Sequence, residues 1–205
     1  MHFASANPSV VRSVKQRDLL NAWLRAHGRQ ALPRIEDYRP DGIADEMPDM
    51  MGFDVVGSGS DARFLITHEG TRLTATYGNE HIDPNQRTNR YLDDAIGPVR
   101  YGRVVASYLM CLERKRPTYS VAMVRDEDGK DVAYERLLLP FGRAGAVTQI
   151  VGSYKTISIE GGFKVRDLMS INAEAPPVSV VCAVIDLDFV RGPADDRIDD
   201  IVELS

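Results

Sequence analysis

The chain has 205 residues, 43% hydrophobic and 27% charged, a balance that suits a globular protein with a real core. Its 25 Lys and Arg against 30 Asp and Glu give a net charge of -5, which argues against a general nucleic-acid binder, because phosphate contacts demand basic excess. The total hides an asymmetry: residues 1–34 carry six basic side chains and one acid, net +5, whereas residues 186–205 carry seven acids and two arginines, net -5.

No apolar run approaches the roughly 18 residues of a spanning helix, and the first twenty residues lack a basic-then-apolar leader, so a cytoplasmic protein without membrane contact is expected. Cys111 and Cys182 have neither CxxC spacing nor a nearby His pair, which argues against a disulfide framework or a metal site.

The first nine residues read as a loose arm. A helix is expected from Val10 to His27, with Val14, Leu20, Trp23 and Leu24 at helical spacing and Gly28 as its stop. Its stripe of Leu20, Trp23 and Leu24 suits either a homodimer or partner contact, or packing on the chain's own core. Prolines 33 and 40 then mark a connector.

Strands follow. Met50–Val56 and Ala62–His68 read as a hairpin around a Gly-Ser turn, Thr71–Tyr77 as a turn or two of helix, and Asn79–Asn89 as irregular. Tyr91–Glu113 is the one long helix, with Tyr101, Val104, Val105, Tyr108, Leu109 and Leu112 three or four apart and cations at its end. Thr118–Arg125, Val132–Phe141 and Val147–Ile157 then form a meander, with Gly152 a candidate bulge. Val165–Ile171 reads as a short helix and Val178–Val190 as an apolar, strand-like run before the acidic tail. The expected organisation is an arm, helix and connector over 1–45, a central domain over 46–160 and a C-terminal extension over 161–205.

A helix facing such a sheet leaves a cavity between them. Tyr101, Val105, Tyr108 and Leu109 would point inward, opposite Leu65 and Thr67 of the second strand and Met123, Leu138 and Tyr154 of the meander. Two Tyr hydroxyls among aliphatics suit a mostly apolar ligand, or the same side chains fill the core.

This element order resembles a PAS domain, and in detail the PAS subgroup common in alphaproteobacteria. The residues that carry the likeness are Arg17-Asp18-Leu19-Leu20 with Trp23, Gly28-Arg29, Leu32-Pro33-Arg34, Pro40 with Ile43, Met47-Pro48, Phe53-Asp54-Val55, Arg63-Phe64, Gly70-Thr71-Arg72-Leu73 and Gly78, within about residues 10–160. The resemblance implies an α+β, five-stranded antiparallel sheet with helices packed on one face, preceded by the amphipathic helix. It further implies a sensory or regulatory module acting through protein contacts, with a homodimer and a signalling partner such as a kinase or regulator. No kinase, cyclase or DNA-binding pattern is recognised between Ile157 and Ser205, so the output is expected to act through another protein.

No cofactor is expected. The long helix holds no His for haem, the four histidines being His2, His27, His68 and His81, and the Asn-Cys-Arg-Phe-Leu-Gln signature of the light sensors is missing between Thr71 and Tyr91. Catalysis is not expected either, since GxSxG, HExxH, P-loop and GxGxxG patterns are all absent. The alternatives are a small-molecule-binding protein or enzyme using the same cavity, or a ligand-free dimerisation module.

Overall fold

The computed structural model describes residues 2–73, 76, 88–158, 161–165, 168–169 and 176–188. Statements below concern those residues. The expected elements at 77–87, 166–167, 170–171 and 189–205, including His81 and most of the acidic tail, lie outside them.

Seven strands form one mixed, open sheet: β1 (Ala4–Ala6), β2 (Met50–Val56), β3 (Arg63–Glu69), β4 (Thr118–Arg125), β5 (Asp131–Arg143), β6 (Ala146–Ile157) and β7 (Val178–Ile185). Their spatial order is β1-β7-β4-β5-β6-β2-β3, antiparallel throughout except for the parallel pair of β1 with β7. The helices described are α1 (Val14–His27), the single turn α2 (Ile43–Glu46) and α3 (Leu92–Arg114).

The α+β class and the five central strands agree with the sequence pattern, but two expectations are corrected. The sheet has seven strands, because the arm supplies β1 and the extension supplies β7, hydrogen-bonded through pairs such as Ala4 with Ala183 and Tyr119 with Ala183. The helices also lie on both faces. Along β5, Val132, Tyr134 and Leu138 pack under α3, whereas Leu137, Leu139 and Phe141 pack under α1. Alternating side chains of one strand therefore serve two cores, which explains why β5 is buried over nine consecutive positions from Tyr134 to Gly142.

α1 starts where the Ser13 hydroxyl accepts the Gln16 amide and ends at Gly28, whose φ of 52° only a residue without Cβ adopts easily. It buries Leu19, Leu20 and Trp23, and the Trp23 indole donates to the Pro140 carbonyl at 2.8 Å. The stripe proposed for a homodimer is thus turned onto the chain's own sheet. Leu20 and Trp23 are 1% and 0% exposed and Leu24 is partly buried against the same core, so they are not available as an external anchor.

α3 carries a break at Gly97 (φ 72°, ψ 164°), immediately before Pro98, whose ring cannot continue a hydrogen-bonded helix. Gly152 is not a bulge. It pairs regularly with Leu138, and a Cβ there would meet the Tyr154 hydroxyl at 2.7 Å, so the missing side chain makes room for that ring. The irregularity of this hairpin falls instead between Phe141 and Gly142.

Candidate functional site

The space between α3 and the sheet is built by two kinds of position. Bulky ones close it around the tyrosines. Phe53 and Phe64 set their rings 5.3 and 5.0 Å from that of Tyr108, and the Tyr108 and Tyr154 hydroxyls hydrogen-bond at 2.6 Å. The void left beside them, between Met51, Ile66, Tyr108 and Arg136, is only about 10 Å³, room for one water. Beside Tyr108 side chains fill the space, whereas a pocket of about 250 Å³ borders Tyr154 together with Tyr134, Leu73 and Lys155.

Of the cavity residues expected from sequence, Tyr108, Leu138 and Tyr154 are buried together in this core, and Tyr101, Val105 and Leu109 pack on it half-buried. Leu65, Thr67 and Met123 do not join them. In β3 the inward positions are Phe64 and Ile66, so alternation turns Leu65 and the exposed Thr67 to the other side. Met123 shares its parity with Tyr119 and Val121, which pack under α1.

Small residues open the space one step further along the helix. A cleft of about 440 Å³ lies between α3, β4, β5 and the start of β7. Gly102 and Ala106, one helical turn apart, form its roof, and a Cβ built at Gly102 meets no atom within 4 Å. Its floor is two rungs of the sheet: Ser179, Ala122 and Tyr134 in register, then Ser120 beside Arg136. Directly opposed side chains of an antiparallel pair share a face, so Ser120 and Arg136 stand together. Val104, Met169 and Pro177 complete an apolar rim.

Arg136 is the polar centre of this region. It is 6% exposed, with its guanidinium 6.0 and 5.9 Å from the Tyr108 and Tyr154 rings, and it lines both the small void and the open cleft. Arg103 reaches the cleft from the helix. No carboxylate lines the cleft among the described residues. Glu69 lines the small void, as Arg136 does, and Arg90 stands 3.9 Å from it there. The sequence did carry a signal for Arg136: inward positions of β5 read Val132, Tyr134, Arg136, Leu138, and a charge at an interior parity position is unusual enough to mark a site.

Other candidates resolve structurally. Burial pushes the Cys111 thiol far above its ordinary value, which leaves it an inert packing group. His27 is buried with its ring 4.9 Å from Trp23, and the His68 Nε2 sits 3.2 Å from the Met47 carbonyl. The Asp126–Gly129 segment is a turn in which the Asp126 carboxylate accepts the Asp128, Lys130 and Lys164 amides, which hold its pKa below the ordinary range.

Under α1 lies a buried polar cluster. Glu135 is fully buried on β5, and burial raises its pKa above 4.5 against the opposing pull of the Tyr119 hydroxyl, the Ser13 amide and Arg12. Gln16, also fully buried, donates to the Ser153 carbonyl at 2.9 Å. Lys155, the register partner of Glu135, is held 2.7 Å from both Glu46 and Asp49.

Compared with known proteins, the chain matches no family model and no curated sequence.

Proposed function

We propose that this protein is a PAS-like sensory or regulatory module that takes a small ligand in the cleft beside α3 and signals through contacts with another protein. The single observation that carries this reading is the cleft itself, about 440 Å³ and within the range of small-molecule sites, roofed by glycine and alanine and floored by a buried arginine. A filled core has no use for such a combination. The PAS-like part is supported by the order strand, strand, long helix and three-strand meander, with β2 to β6 antiparallel and α3 across one face.

The route from ligand to partner follows from position. The cleft is bounded by α3 and by the first residues of β7, and β7 hydrogen-bonds to β1, so a ligand that shifts the start of β7 acts on both added strands. Val178 and Val180 on β7 are 60% and 49% exposed, an apolar edge next to the cleft where a partner would sense that shift.

Affinity capture from the native host tests this. The comparison is wild type against Gly102→Phe, whose ring enters the cleft. Ligand-dependent signalling predicts a signalling protein captured by one form and not by the other. Identical captures would reject gating by the cleft.

A further inference from the structure

We propose that two copies of this protein pair face to face across an apolar row of the sheet that α1 leaves bare, the basic start of α1 in each copy meeting the acidic β4–β5 turn of the other. Register sets the row. Val178 pairs with Met123, Met123 with Ala133 and Ala133 with Ile157, so four apolar residues line up across β7, β4, β5 and β6. Directly opposed side chains share a face, and Ala133 packs against the core under α1, so all four stand on the α1 side of the sheet. The helix does not reach them. Ser13, just before α1, lies at Glu135, and Trp23 lies at Pro140, further along β5. Val178 is 60% exposed and Ile157 39%, while Met123 and Ala133 are half-buried. Three strand spacings make the row roughly 15 Å wide, and an apolar surface of that extent marks a contact.

Charge identifies what covers it. Along β5 the acidic turn comes first, the row at Ala133 next, and the start of α1 over Glu135 last. The turn holds Asp126, Glu127, Asp128 and Asp131 against Lys130, and although Lys164 reaches Asp128 and Arg125 pairs with Asp131, acids stay in excess. At the other end Arg12 and Lys15 are exposed with no acid before Asp18, and the positive end of the α1 dipole adds to them. A two-fold axis through the row reverses this order in the second copy. Each basic start then lies by the other copy's acidic turn, and each row meets its own image. A surface complementary to itself in this way selects a second copy over an unrelated protein. The area is small, so the pair forms in a concentration-dependent equilibrium. It needs no ligand and goes beyond the proposed function; it covers Val178 and leaves Val180 at the edge of β7.

Sedimentation equilibrium of the full chain over a concentration series tests the assignment. The mass is expected to rise from that of one chain towards twice that value. Ile157→Lys puts a charge into the row at an exposed strand end, and should hold the protein at the mass of one chain with its melting temperature unchanged. Lys15→Glu should weaken the pair about fivefold, the effect of losing two symmetry-related surface contacts, and adding Glu127→Lys should recover it. A single-chain mass at every concentration, a dimer that survives Ile157→Lys, or no recovery in the double reversal would each overturn the proposal. So would a different protein captured by wild type and not by Ile157→Lys while the chain itself stays single. None of these outcomes touches the cleft, so the ligand-gated reading stands or falls separately.

Discussion

At the scale of single residues, polar groups in the two cores do different jobs. Tyr108 and Tyr154 share a buried hydrogen bond, and its loss in Tyr108→Phe should cost about 1 kcal/mol by urea denaturation. Glu135, on the opposite face, is a pH-dependent element. Its folded pKa is raised by burial, so the folded chain holds its proton more tightly than the unfolded one. The stability it contributes is present below pH 4.5 and is lost as pH rises through the folded value. Glu135→Gln should therefore melt higher than wild type at pH 7, with the gap closing as pH falls towards 4. A gap that did not change with pH would show that folding leaves the carboxyl's pKa at its unfolded value. The groups facing Glu135 are Arg12 and Ser13 before α1, and Tyr119 on β4, with Lys155 opposite it on β6 already bound by two carboxylates.

At the scale of elements, α1 is the largest correction to the sequence pattern. Its apolar stripe was readable, but a stripe does not say what covers it. Spacing fits an external partner and an internal sheet equally, and only the second, buried face of β5 decides between them. Trp23→Ala should cost about 3 to 5 kcal/mol, as expected for removing a fully buried ring, and calorimetry would register that loss. The mass in solution should stay unchanged. The end of α3 offers a gain instead: Lys115 caps it at φ 54°, so Lys115→Gly should stabilise the fold by about 0.5 to 1 kcal/mol on relief of that left-handed conformation.

Across the whole molecule, the strands of the central sheet were legible because alternation and turn residues mark them, down to the bounds Met50–Val56 and Thr118–Arg125. β1 was not. Ala4-Ser5-Ala6 has no strand preference of its own and is extended because β7 offers it partners. The site was half legible for a related reason. Large inward residues such as Tyr108 announce themselves in a sequence, yet they close space; the cleft is made by Gly102, Ala106, Ser120 and Ala122, whose smallness carries no pattern until strand register sets them together. Arg136, the one loud signal, sits among apolar neighbours and becomes visible only once the parity of β5 is fixed.

The central claim is that the cleft holds a ligand in the working protein. Denaturing mass spectrometry of protein purified from its native host, run beside Gly102→Phe, tests it most directly. One small molecule released in near-equal amount to wild type, and none from the variant, is the predicted result; no release from wild type, or the same release from both, would contradict it.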